Sequence, residues 1–129
     1  MKSINSIFVV EDDPISSYVI KLALQQHPAF DEALEFKNGQ VAVDYLNENT
    51  SNGDLPELIL LDINMPVMDG WDFLEHFSAM DSSKEIPVVM LTSSINPNDI
   101  EKAKAHHLVK GFLSKPLNKE KLDEILTFI

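Results

Sequence analysis

Residues 58–61 read LeuIleLeuLeu and run straight into Asp62. Four apolar residues in a row predict a strand buried on both faces, and such a strand belongs in a parallel sheet covered by helices on two sides. The rest of the chain supplies the matching pieces. Short apolar runs at Ser6–Val10, Ala33–Phe36, Pro87–Leu91 and Gly111–Leu113 alternate with longer helical patterns. The first helix begins at Pro14, with Asp13 as its N-cap, and carries the apolar stripe Ile15, Tyr18, Val19, Leu22. The second runs from about Gly39 to Asn49. The third starts near Asp69 and carries Trp71, Phe73, Leu74 and Phe77. The fourth follows AsnProAsn at 96–98, with Ile100 and Ala103. The last follows Asn118 and shows Leu122, Ile125, Leu126 and Ile129 on one face. The polar stretch Glu48–Pro56 reads as a loop. Five strands alternating with five helices predict an α/β fold, a doubly wound parallel sheet with right-handed crossovers. Ligands in such sheets bind beyond the carboxyl ends of the strands.

Length and charge narrow the function classes. At 129 residues the chain is expected to form one domain over 1–129. No apolar stretch approaches the ~18 residues of a membrane span, and the N-terminus lacks the apolar core and cleavage site of a signal peptide. There is no Cys, so disulfide and thiolate chemistry are excluded. A cytoplasmic protein without membrane insertion is expected. Net charge is −11, and every one of the ten basic residues is Lys. A nucleic-acid binder needs a basic face and commonly reads bases with Arg, so direct nucleic-acid binding is not expected. Any phosphate would be held by Lys, hydroxyls, backbone N–H groups or a metal.

Polar groups converge on one sheet edge. Glu11 and Asp12 close the first strand, Asp62 closes the third, Thr92 the fourth, and Lys115 follows the fifth. A carboxylate at the end of a buried strand is costly unless something positive compensates it. Two unit charges ~4 Å apart repel by roughly 4 kcal/mol at an effective dielectric near 20. Hard oxygen donors of this kind suit Mg²⁺, which keeps several waters and shares its shell with a phosphate. The absence of Cys or paired His nearby argues against Zn²⁺ or copper. An acid cluster at a helix N-terminus accounts for Asp13 but not for Asp62, which ends a different strand. Lys115 reads alone as a surface lysine and Thr92 as a strand residue. Beside Asp62 they would supply a cation and a hydroxyl donor for phosphoryl oxygens.

Taken together, ValValGluAspAspPro (9–14), LeuLeuAspIleAsnMetProValMetAspGly (60–70), LeuThrSerSer (91–94) and GlyPheLeuSerLysProLeu (111–117) closely resemble the receiver domain of two-component response regulators. The resemblance covers the whole chain. It implies a flavodoxin-like sheet of order 2-1-3-4-5, an order that chemotaxis receivers share with flavodoxin. It implies that Asp62 is the phosphoacceptor, attacking a phosphohistidine on a histidine kinase or histidine phosphotransfer protein. Glu11, Asp12 and Asp62 would hold Mg²⁺ together with the Asn64 backbone carbonyl, Glu11 through water. Lys115 would pair with the phosphoryl group and Thr92 would hydrogen-bond it. Phe112, three residues before Lys115, takes the place of an aromatic switch residue that turns inward when Thr92 is drawn to the phosphate. Asn64 and Ser94 would flank the path of a hydrolytic water. Such a protein is not an enzyme beyond its own phosphorylation and dephosphorylation.

The stretch HisHisLeuValLysGly before Phe112 departs from the family pattern, in which a small GlyAla pair is usual, and Leu108 and Val109 make that face bulkier. His106 and His107 are expected to point different ways on a helix, as surface residues. Only 14 residues follow Lys115, so a stand-alone regulator without an effector domain is expected, signalling by contact with a downstream protein target or passing the phosphoryl group to another histidine. The fourth helix, fifth strand and fifth helix are the family's usual partner face. A monomer or a phosphorylation-dependent homodimer would serve. A flavin-binding flavodoxin is disfavoured, because GluAspAsp would repel a phosphate. A haloacid-dehalogenase-type phosphatase is disfavoured because its acid–base Asp is Asn64 here. A degenerate receiver acting only as a scaffold is disfavoured because every expected group is present.

Overall fold

A computed structural model of the chain describes residues 3–49, 55–80, 83, 85–93 and 96–129. Strands β1 (Ile4–Val10), β2 (Phe30–Phe36), β3 (Leu58–Asp62), β4 (Val88–Thr92) and β5 (Val109–Ser114) alternate with helices α1 (Pro14–Gln25), α2 (Gly39–Asn49), α3 (Gly70–Ser78), α4 (Pro97–Ala105) and α5 (Lys119–Phe128). The strands form one sheet in the order β2-β1-β3-β4-β5, and every pairing is parallel. Fold class and strand order are those expected.

The side-chain alternation of the central strands splits the core in two. Phe8 and Val10 of β1, Ile59 and Leu61 of β3, and Val88 and Met90 of β4 pack with Ala42, Leu46, Phe73, Leu74, Phe77 and Ala103 from α2, α3 and α4. Ile7 and Val9, Leu58 and Leu60, and Val89 and Leu91 pack on the other face with Ile20 and Leu24 of α1 and Leu122 and Ile125 of α5. The LeuIleLeuLeu run is therefore fully buried from both sides. Its two faces need two helical layers, and the chain provides them.

Helix starts follow local chemistry. Asp13 caps α1, its side chain accepting from Ile15 N–H at 3.1 Å. Asp69 caps α3 through Asp72 N–H at 2.8 Å. Asn96 and Asn118 do the same for α4 and α5, through Asn98 N–H and Lys121 N–H, both at 2.9 Å. Each cap satisfies an amide that the first helical turn leaves unpaired.

Several expectations are corrected. The stripe Ile15, Tyr18, Val19, Leu22 faces outward, with Ile15 75% and Tyr18 65% exposed. The buried face of α1 is Ser17, Ile20 and Leu24. Both stripes fit helical spacing, and only the sheet decides which is covered. The strand β2 begins at Phe30, not Ala33, because Asp31 and Glu32 face solvent on an edge strand, where charge also discourages strand-to-strand association. Helix α2 reaches Asn49, so the polar segment opens as helix; its residues 50–54 lie outside the described residues. His106 and His107 are not on a helix, since α4 stops at Ala105 and His106 is extended at its C-cap. Their rings stack in parallel, 5.2 Å apart, and His106 Nδ1 accepts from Leu108 N–H at 3.2 Å.

Candidate functional site

The carboxyl ends of β1, β3, β4 and β5 share one edge of the sheet, and the polar groups expected there arrive together. Asp62 is the last residue of β3 and Thr92 the last of β4. Glu11 follows β1 and Lys115 follows β5. Glu11, Asp62 and Thr92 are buried, each 7% exposed or less. One carboxylate oxygen from each of Glu11, Asp12 and Asp62 lies within 4.8 Å of the other two. At that spacing each ionised pair repels by roughly 3–4 kcal/mol at an effective dielectric near 20.

The sequence folds around these acids in a way that answers part of the charge. The Lys115 ammonium forms an ion pair with Glu11 Oε1 and stands 3.6 Å from Asp62 Oδ1. Its backbone is fixed by Lys115 N–H donating to the Thr92 carbonyl at 2.8 Å, so β4 and the segment after β5 set its position together. Glu11 also accepts from the Ser16 hydroxyl at 2.8 Å and from Asp13 N–H at 3.2 Å. Asp62 Oδ1 accepts from Ile63 N–H at 2.9 Å. Asp13, the third acid of GluAspAsp, serves as the helix cap and stands apart from the trio.

These contacts divide the acids electrostatically. Burial pushes Glu11 up, but Lys115, the Ser16 hydroxyl and the Asp13 amide outweigh it and hold its carboxyl below the ordinary value. Burial, reinforced by Glu11, raises Asp12. Burial and the Glu11 charge push Asp62 up to about 7, against the opposing pull of Lys115 and Ile63 N–H. Lys115, the one cation in contact with these acids among the described residues, pairs mainly with Glu11, so Asp62 is left as the under-compensated carboxylate. Such a perturbed group at a sheet switch point is a candidate for a functional site.

The loop after β3 is shaped by close backbone contact. Gly70 N–H donates to the Ile63 carbonyl at 2.8 Å, and a Cβ on Gly70 would sit 2.5 Å from the Asp62 carbonyl oxygen. Only glycine lets α3 start this near the acid. Val67, 81% exposed, adopts the left-handed region at φ 69° as the loop turns. Asn64 is exposed two residues past Asp62. Ser94, its expected counterpart, lies outside the described residues. Phe112 is half-buried against the core on the α3–α4 side. Leu108 is buried and Val109 packs on the same core, which is where the bulk of that segment goes.

Sequence patterning gives no sign of Ser16 as a neighbour of the acids. A serine in the first turn of a helix is commonplace, and nothing in the sequence tells that its hydroxyl turns back to Glu11. Gly70 likewise reads as an ordinary turn residue until the distance to Asp62 is known. A cleft of about 740 Å³ between α3 and α4, lined by Trp71, His76, Lys102 and His106 among others, contains none of Glu11, Asp12 and Asp62. The site is defined by converging charge and not by enclosed volume.

The donor set fits a hard divalent cation. Three carboxylates present oxygen only, from two adjacent strands, with no Cys in the chain. No helix among the described residues is long and apolar enough to cross a membrane.

The family model of the response regulator receiver domain matches residues 7–127. The chain belongs to the response regulator receiver family. Among relatives of this receiver domain, response regulator Rcp1 of Synechocystis is 32% identical over 114 residues, 87% of this chain and 77% of that one. A Mn²⁺-bound form of response regulator Rcp1 is 31% identical, covering 95% of this chain and 88% of that chain, with a TM-score of 0.77. A two-component response regulator from Cytophaga hutchinsonii is 29% identical, covers 98% of this chain and 96% of that one, and has a TM-score of 0.91. The phosphorylated cyanobacterial phytochrome response regulator RcpA is 34% identical, covers 95% and 88%, and has a TM-score of 0.78.

Proposed function

We propose that this receiver domain accepts a phosphoryl group on Asp62 from a phosphohistidine of a histidine kinase or histidine phosphotransfer protein, and signals in the cytoplasm through protein–protein contact. The observation that carries the reading is the convergence of three carboxylates and Lys115 on the ends of three strands, with Asp62 the one whose charge is least answered. That the related RcpA was crystallised phosphorylated supports it.

In the transfer, an Asp62 carboxylate oxygen attacks phosphorus. The P–N bond to the donor imidazole breaks, its electron pair returns to the ring, and an acyl phosphate forms. Phosphoryl transfer asks mainly for positioning and charge neutralisation. Glu11, Asp12, Asp62 and the Asn64 backbone carbonyl would hold a Mg²⁺ ion, which would supply positive charge to neutralise the phosphoryl oxygens. Lys115 already bridges Glu11 and Asp62, so a small movement of its ammonium brings it to the oxygens of a group on Asp62. The Thr92 hydroxyl donates to one of those oxygens. Its movement toward the phosphate opens room for Phe112 to turn inward, which alters the surface of α4, β5 and α5 that a target reads. Ile15 and Tyr18, exposed on the turn of α1 beside the acids, give an apolar margin for the phosphodonor.

Incubation with acetyl phosphate and Mg²⁺ tests the reading by intact mass. The expected result is one added phosphoryl group, absent in Asp62→Asn and absent with chelator. Labelling of Asp62→Asn to the same extent overturns it.

A further inference from the structure

The segment between β5 and α5 carries Lys115, and it is gripped by a second lysine. Lys121 Nζ donates to the Ser114 carbonyl at 2.6 Å and to the Pro116 carbonyl at 3.0 Å, with the Ser114 hydroxyl at 3.4 Å. These carbonyls belong to the residues immediately before and after Lys115. One ammonium thus closes a ring across the backbone of the lysine that pairs with Glu11 and approaches Asp62. The same residue is anchored at its other end, where Lys121 N–H donates to the Asn118 side chain that caps α5.

The placement runs against the ordinary preference for charge. Lys121 is the third residue of α5, the end of a helix where the macrodipole disfavours a cation. It is tolerated there because the ammonium turns back onto two carbonyls. It makes no ion pair among the described residues. From this geometry we infer that Lys121 is a positioning residue for the phosphoryl-transfer reaction. It holds the 114–116 backbone so that the Lys115 ammonium is aimed at Asp62. The inference rests on the aspartyl-phosphate reading proposed above. It assigns no contact between Lys121 and the phosphoryl group, since its donors are taken up by the loop.

Positioning of this kind shows in rate before it shows in metal binding. Lys121 touches none of Glu11, Asp12 and Asp62, whereas misplacing Lys115 by a fraction of an ångström removes charge from the transferring group. Lys121→Met keeps the stem and removes the ammonium; Lys121→Arg keeps a charged donor. Both are compared with the natural chain in the initial rate of labelling by acetyl phosphate, in Mg²⁺ affinity read by isothermal titration calorimetry, and in melting temperature. Labelling about tenfold slower in Lys121→Met is expected, with Mg²⁺ affinity within about twofold of the natural chain and at least half the rate restored in Lys121→Arg. The inference is overturned by an unchanged rate in Lys121→Met, by a parallel fall in rate and Mg²⁺ affinity, which marks general loosening, or by Lys121→Arg as slow as Lys121→Met. Should Lys121→Met not fold, Lys121→Gln takes its place under the same criteria. Failure of the natural chain to label at Asp62 counts against the aspartyl-phosphate reading instead, so the two outcomes separate.

Discussion

Replacing Asp62 by Asn should make the metal-free protein more stable at neutral and alkaline pH, although it removes the group on which the proposed chemistry depends. Asp62 in the folded chain titrates near 7, against an ordinary 3.8, because it is buried beside Glu11. The folded state therefore binds the Asp62 proton more tightly than the unfolded chain does. Stability from this group is greatest at low pH and is lost as pH rises from about 4 through about 7. The full gap between the two values is worth about 4 kcal/mol at pH 8, falling to roughly 2 kcal/mol at pH 5. Asn imitates the protonated acid, and its amide oxygen can still accept from Ile63 N–H. Lys115 keeps its pairing with Glu11, so the substitution strands no cation. About 4 kcal/mol is the largest gain the substitution can give. In melting temperature it corresponds to roughly 10–15 °C for a chain of this size. The assay is thermal and urea unfolding in chelator at about pH 8 and about pH 5, for the natural chain and Asp62→Asn. An Asp62→Asn protein that melts no higher than the natural chain at the higher pH refutes the reasoning, as does an advantage that fails to shrink at the lower one.

Other outcomes follow from the same geometry. Mg²⁺ at ten times its dissociation constant should add about 1.4 kcal/mol to the stability of the natural chain, and Asp12→Ala should abolish the increment in a melting titration. Labelling by acetyl phosphate at limiting Mg²⁺ should rise with pH through about 7, as Asp62 ionises, and saturating Mg²⁺ should shift that rise to lower pH; a pH-independent rate counts against Asp62 as nucleophile. Asp13→Ala should cost about 1 kcal/mol of stability, through loss of the α1 cap, while Mg²⁺ affinity stays within about threefold; calorimetry and metal titration separate the two effects. Gly70→Ala should destabilise by about 1–3 kcal/mol and slow labelling, because its Cβ must displace the Asp62 backbone.

The sheet was legible because buried parallel strands have a signature of their own. LeuIleLeuLeu and ValValMetLeu have no polar alternation, and both strands are buried on both faces. Edge strands carry a weaker signal: the acidic start of β2 hid its first three residues. The α1 start was legible through its Asp13 cap, since capping is local chemistry, and α3 and α5 begin where Asp69 and Asn118 led the reading to place them, whereas α4 starts at Pro97, within the AsnProAsn it was expected to follow. Helix orientation was not legible. In α1 two apolar stripes compete, and the covered one contains Ser17, so periodicity alone selects the wrong face. The principal site residues could be gathered from sequence because strand ends in a doubly wound sheet meet at one edge. What sequence could not supply is the sharing of charge among them. Lys115 pairs with Glu11 more closely than with Asp62, Ser16 joins Glu11, and Lys121 grips the loop, all through side-chain directions that depend on tertiary packing.

The central claim is that Asp62 carries an acyl phosphate. Borohydride reduces an acyl phosphate to an alcohol and would convert a phosphorylated Asp62 side chain to that of homoserine. After phosphorylation with Mg²⁺ and reduction, peptide mass mapping should find homoserine at position 62 and unchanged Asp at positions 12 and 13. Homoserine at either of those positions, or a phosphorylated chain whose position 62 resists reduction, contradicts the account.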